Sequence, residues 1–296
     1  MDGVGVHRLA PAVLVSLAPR LALAHADTAT GSAGDAPGFV VALALVIVIG
    51  AGLYAKGVGA LWRKAGAGRG IRRSQAGSFA LGWATLAGGL LGPIDTWAER
   101  SFAMHMVQHE LLIVVAAPLI VLGRPLEAWT WALGASLRRV FAAAAKVAPL
   151  RAIGYVATLS LGAWVLHALA LWLWHLPILF QAALRNPLVH IGQHACFFAS
   201  ALAYWWSVAG ARTRAGSAVA SLFTTMLHTS ALGALLTFAP SPWYGIAGTR
   251  AFGLSPLEDQ QLGGLIMWVP GGLAFMIVGL MIVARWLAPA RLAPKT

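Results

Sequence analysis

Seven apolar runs of bilayer-crossing length constrain this chain of 296 residues more than anything else in it. They lie near residues 39–55, 76–93, 101–123, 152–175, 187–208, 217–239 and 261–284. A hydrocarbon core about 30 Å thick is crossed by about 20 helical residues rising 1.5 Å each. In lipid every backbone N–H and C=O must be satisfied internally, so only helices or a closed barrel can span. The runs show no strict alternation of apolar and polar residues, which removes the barrel. The expected fold is an all-α polytopic membrane protein with seven transmembrane helices. Charged residues make up 10% of the chain, against about 25% in soluble domains. The second run is rich in glycine, and Gly82, Gly88, Gly89 and Gly92 predict close helix contact there.

Orientation follows from Lys and Arg, which concentrate on the cytoplasmic side. Sixteen of them fall after runs one, three, five and seven, whereas only Arg100, Arg185 and Arg250 fall between the other runs. This predicts an outer N-terminus and a cytoplasmic C-terminus. Residues 1–26 form a candidate signal peptide ending in Ala24-His25-Ala26. Residues 27–38 are then an outer linker, 39–284 the membrane domain and 285–296 a cytoplasmic tail. From Leu126 to Val147, apolar residues mix with Arg138, Arg139 and Lys146, as in an amphipathic helix lying on the inner leaflet. The segment from Pro240 to Glu258 is rich in proline and aromatics and is expected to form an ordered outer lid. The 13 tryptophans fall mostly near run ends, as in interfacial belts. The net charge of +12 sits in membrane-flanking loops and implies lipid headgroups rather than nucleic acid as its partner. One cysteine, Cys196, excludes an internal disulfide and any paired-cysteine metal or redox motif.

The histidines are the candidate chemistry. Ionisable groups inside a membrane are costly, and by default they mark a functional site. His105 and His109 are i,i+4 in the third run, and His190 and His194 repeat that spacing in the fifth. Each pair therefore shares one helix face. From the rise per residue, His105 and His109 lie about 6 and 12 Å below the outer end of their run. His175 lies at the outer end of the fourth run, with His167 about 12 Å deeper. His228, in the sixth run, is the deepest. Neutral imidazole suits copper, zinc, iron and nickel. Met104, Met106 and Met226 add soft thioethers, which favour Cu(I). Gln108, Gln193 and Glu110 could orient the imidazoles. Zinc and haem are the alternatives. A haem would take axial ligands from facing helices, such as His109 with His167 or His194. A metalloenzyme would use Glu110 as base. A retinal photoreceptor is excluded, because the seventh run contains no lysine.

The segment His105-Met106-Val107-Gln108-His109-Glu110-Leu111-Leu112 is followed by Ala116-Ala117-Pro118-Leu119 and Leu122-Gly123-Arg124-Pro125. It resembles the signature helix of the CtaG family of caa3-type cytochrome c oxidase assembly factors. Trp174-His175-Leu176-Pro177, His190-Ile191-Gly192-Gln193-His194, Pro242-Trp243-Tyr244 and Asp259-Gln260-Gln261-Leu262-Gly263-Gly264 are similar too, so that the resemblance runs from about 80 to 285. It implies a multi-pass protein of the bacterial cytoplasmic membrane, not an enzyme, that helps assemble a terminal oxidase. Its proposed role is copper delivery to an oxidase subunit, with an extracytoplasmic copper donor as a further partner. The resemblance does not say which histidines bind the metal.

Overall fold

The computed structural model describes residues 36–144, 147, 159–210, 213–245 and 251–288, and among these there is no strand. The candidate signal peptide and most of the tail lie outside the described residues. Helix α1 (Ala36–Ala65) is followed by α2 (Arg73–Leu91), the short α3 (Pro93–Ala98) and α4 (Phe102–Leu122). Next come α5 (Pro125–Ala132), α6 (Ala135–Ala144), α7 (Ser160–Trp174) and α8 (Pro177–Arg185). The chain continues through α9 (Pro187–Ala209), α10 (Ala215–Thr237) and α11 (Pro256–Leu287).

Four of these helices, α1, α4, α10 and α11, are long and apolar enough to cross a membrane, or five if α7 and α8, bent by 73° at a short break, form one span. The polarity is that of a membrane protein. Val41, Leu45, Val46, Val48 and Ile49 on α1 are each more than half exposed, while His105, Gln108, His109, His167 and Gln193 are buried. Water would penalise that arrangement, and hydrocarbon outside the bundle rewards it.

Helix boundaries depart from the sequence expectation in instructive places. Helix α1 begins at Ala36, inside the expected linker, and continues through Lys56, Arg63 and Lys64. Its 30 residues span about 45 Å, more than a hydrocarbon core, so the basic end projects beyond it. The single interfacial helix is instead two helices, broken around Leu133 and Gly134. The first is not free to lie on a leaflet. It packs on α1, where a Cβ on Gly57 would meet the Ala128 carbonyl oxygen at 1.8 Å. The second leaves Leu137 and Val140 exposed beside its arginines. Of the four glycines in α2, only Gly82 makes the close interhelical approach. Its Cβ would lie 2.8 Å from Leu119 Cβ and 2.9 Å from the Ala116 carbonyl oxygen on α4. Several tryptophans act as interhelical ties rather than a belt. The indoles of Trp83, Trp129 and Trp205 donate to the carbonyls of Ile47, Gly50 and Ile113 at 2.8, 3.0 and 2.8 Å.

Two prolines explain two irregular turns. Pro118 has no N–H to donate, and its ring crowds the carbonyl one turn earlier. Helix α4 widens into a π turn over Leu111–Ala116 just before it, and the Trp205 indole satisfies the Ile113 carbonyl inside that turn. Pro270 lies within the second π turn, Met267–Gly271, in α11. Such widened turns recur at functional sites. Here both flank the helix faces that meet at Glu110 and Gly271.

Candidate metal centre

The N-terminus of α4 is fixed before its histidines are reached. Phe102 N–H donates to Asp259 Oδ2 at 2.6 Å, and Ala103 N–H and the Ser101 hydroxyl donate to Oδ1 at 3.1 and 2.7 Å. Ser101 in turn accepts from Met104 N–H at 3.2 Å. A carboxylate at a helix N-terminus satisfies orphan donors and opposes the positive end of the dipole. Phe102 and Met106 lie against Gly263, where a Cβ would approach Phe102 Cδ1 to 2.4 Å. Gln260 accepts from Trp243 N–H at 2.6 Å, and the Tyr244 hydroxyl donates to the His175 carbonyl at 2.7 Å. The described part of the outer lid and the start of α11 thus clamp α4 and the bend between α7 and α8. Burial pushes the Tyr244 phenol above its ordinary pKa, so it remains a donor.

With α4 so placed, its one-face pair meets the pair on α9. Ring centroids are 4.4 Å apart for His105 and His109, and 4.3 Å for His190 and His194. Between helices, His105 lies 5.2 Å from His190 and 5.9 Å from His194, and His109 lies 5.2 Å from His194. His175, at the bend, lies 6.2 Å from His109. Among the described residues, His105, His109 and His194 form one group whose ligand atoms all fall within 4.8 Å of each other. Nitrogens around a tetrahedral ion are about 3.4 Å apart when each bond is about 2.1 Å. Small side-chain rotations close that gap.

The hydrogen-bond accounting fits a metal. His105 Nε2, both nitrogens of His109, and Nε2 of His175, His190 and His194 are buried without a partner. Unpaired buried polar atoms are rare and costly. His175 Nδ1 lies 2.7 Å from the Leu171 carbonyl oxygen. A carbonyl can only accept, so Nδ1 carries the proton and Nε2 presents its lone pair, as a metal-binding imidazole needs.

The remaining sequence candidates take other places. His167 bonds Ser200 through Nδ1 at 3.1 Å, and His228 accepts from the Trp172 indole through Nδ1 at 3.4 Å. Neither belongs to the group above. Gln108 braces α4 rather than an imidazole, donating to the Gly89 carbonyl at 2.7 Å and to Asp95 at 2.8 Å. Gln193 is fully buried beside His105, and neither of its side-chain polar atoms makes a well-formed hydrogen bond. Glu110 points to α11, where a Cβ on Gly271 would meet its Oε2 at 2.8 Å. Met106 is packed in an apolar cluster with Phe102, Phe180 and Met267, and Met226 packs by Gly272. Met104 is half-buried. The positioning residues Asp259, Ser101, Tyr244 and Gln260 are not among the sequence candidates. Ser101 carried a physical signal, a capping residue just before an apolar run, whereas Tyr244, Asp259 and Gln260 entered only within the family-like segments.

No curated protein and no solved structure matches the chain. The family model for the cytochrome c oxidase caa3 assembly factor (Caa3_CtaG) matches residues 52–288. That span holds α2 to α11, the clamp at Asp259 and every histidine of the cluster, and the chain belongs to the Caa3_CtaG family of cytochrome c oxidase assembly factors.

Proposed function

We propose that this oxidase assembly factor is a copper-handling protein, with copper as cargo rather than as a catalytic cofactor. His105, His109 and His194 hold the ion, and His190 and His175 flank them as exchange ligands. One observation carries the reading: three imidazoles from α4 and α9 place their ligand atoms within 4.8 Å of each other. The nitrogens left without hydrogen-bond partners around them support it. An all-imidazole set without carboxylate or cysteine suits copper and does not by itself exclude zinc. The same reading takes the chain to cross the bacterial cytoplasmic membrane seven times, N-terminus outside, with the cluster near the outer face. The one-sided distribution of Lys and Arg supports that orientation. Copper would come from an extracytoplasmic donor and pass to an oxidase subunit.

Purified protein loaded with Cu(I) under reducing conditions tests the binding. The expected result is retained copper in the parent protein and its loss in the double variant His105→Ala/His109→Ala. Equal copper in both removes these residues from the site. Retention of zinc in place of copper, under competition, would keep the site and change the cargo.

A further inference from the structure

Below the metal cluster lies a second polar layer in the bundle. Phe197, fully buried, has its ring 4.6 Å from His109 and 5.7 Å from His175, and Leu171 lies beside it in the same apolar cluster. One and two turns further along α9 are Ser200 and Tyr204, facing His167 of α7 and Ser221, Thr225 and His228 of α10. His167 stacks on Tyr204 at 5.2 Å. The Tyr204 hydroxyl lies close to Thr225 and Ser221, without a well-aligned hydrogen bond to either. His228 lies close enough to His167 to act on it electrostatically.

Five buried atoms there have no partner: His167 Nε2, Tyr204 Oη, Ser221 Oγ, Thr225 Oγ1 and His228 Nε2. Tyr204, Thr225 and His167 are essentially inaccessible from outside. Three helices thus direct polar atoms at one place, none of them in a well-formed hydrogen bond with another. Polar contacts just beyond hydrogen-bond range are the usual setting for a bridging water.

The tautomers decide what fits. Ser200 has one hydroxyl proton, and it goes to the Phe197 carbonyl at 3.1 Å. His167 Nδ1 must therefore donate to Ser200, which leaves its Nε2 as an acceptor. His228 Nδ1 accepts from the Trp172 indole, so its Nε2 carries the proton and is a donor. A cation cannot bind a protonated imidazole nitrogen. Water offers two donors and two acceptors and satisfies both rings.

We propose that His167, Tyr204, Ser221, Thr225 and His228 enclose a second site that binds ordered water, separated from the metal cluster by Phe197 and Leu171. A buried water makes about three hydrogen bonds, so five orphan atoms call for about two waters. His167 and His228 then serve this layer and not the metal.

Hydroxyl-radical footprinting of the full-length protein in lipid nanodiscs tests this, because radicals form from bound water where diffusing reagent cannot reach. Tyr54 is the reference: it is 5% exposed and its hydroxyl is bonded directly to the Gly123 carbonyl. Tyr204, at 0% exposure, should be oxidised at least about threefold faster than Tyr54, given waters at its hydroxyl. The nearly isosteric Thr225→Val should lower the Tyr204 rate. A Tyr204 rate at or near that of Tyr54, or one indifferent to Thr225→Val, would show a dry cavity and overturn the proposal. So would a transition metal that stays in His105→Ala/His109→Ala protein and is lost when His228→Ala is added. The Tyr204 rates test this layer alone and do not bear on whether the upper cluster binds copper.

Discussion

Asp259 bonds Ser101 and the first amides of α4 rather than an imidazole, yet its replacement should weaken metal binding. Its carboxylate accepts from Phe102 N–H, Ala103 N–H and the Ser101 hydroxyl, holding the first turn of α4 immediately before His105. In Asp259→Ala two backbone N–H groups lose their partner, at about 1–3 kcal/mol each when buried. Loss of the charge at the helix N-terminus adds about 0.3–1 kcal/mol. The sum is about 2–7 kcal/mol, and the lower half of that range applies, since Asp259 retains 8% exposure and some water can replace it. Asp259→Asn keeps one acceptor oxygen and should cost about 1–3 kcal/mol.

The loss does not spread evenly. Only the first turn of α4 frays, and that turn carries His105, whose backbone N–H bonds the Ser101 carbonyl at 3.0 Å. Residues that orient metal ligands typically change affinity by about 10–100-fold. Competition for Cu(I) against a chromophoric chelator, with thermal unfolding of the same samples in detergent, measures both quantities. The expected order in affinity and in stability is parent, Asp259→Asn, Asp259→Ala. Unchanged copper affinity in Asp259→Ala with a lowered Tm would make the clamp purely structural. An unchanged Tm would refute the cap energetics themselves.

Two further perturbations test the packing that supports the site. Gly233→Ala should destabilise by about 1–3 kcal/mol through overpacking, because its Cβ would meet the Gly264 carbonyl oxygen at 2.7 Å and Trp268 N at 2.9 Å. Gly279→Ala, which meets nothing within 4 Å, should be neutral or stabilising by up to about 1 kcal/mol, and thermal unfolding of the two variants separates them. Tyr244→Phe should cost about 1–3 kcal/mol by orphaning the buried His175 carbonyl. Burial raises the phenol's pKa in the folded state, so its contribution is complete below the unfolded value of about 10. It is lost as pH rises from there through the folded value. The Tm gap between parent and Tyr244→Phe should therefore hold at pH 8 and shrink above about pH 10; a gap that widens with alkali would refute the assignment.

The helices and the histidine pairs were legible in the sequence because both rest on local periodicity. An i,i+4 spacing fixes a shared face whatever the helix packs against, and His105/His109 and His190/His194 obey it. That these two pairs face each other depends on which helices are neighbours, and no local pattern records it. Asp259 was illegible for the same reason: it lies 157 residues from the Phe102 amide it caps. The breaks had partial signals. Pro118 and Pro270 announce a disturbed helix, but not that a π turn rather than a kink absorbs it.

His167 is the sharper lesson, because depth read from the sequence places it about level with His109 and does not separate it from the cluster. It lies eight residues before His175 in one helix, a rise of about 12 Å. One ion with bonds of about 2.1 Å reaches imidazoles whose nitrogens are at most about 4 Å apart. In the structure their rings take different partners, Ser200 for His167 and the Leu171 carbonyl for His175, with α7 helical from Ser160 to Trp174. Pooling buried histidines by their common rarity in membranes ignores that limit. In the structure the fully buried ring of Phe197 packs against His109 and His175, while His167 turns to Ser200 and Tyr204. A polar layer beneath an apolar divider also bears on cargo. An ion leaving the upper cluster toward the lower one would have to pass Phe197 and then meet the protonated nitrogen of His228. Exchange toward His190, half-buried like His194 and with a ring 5.2 Å from His105, meets neither obstacle, so cargo should enter and leave on the side of His190.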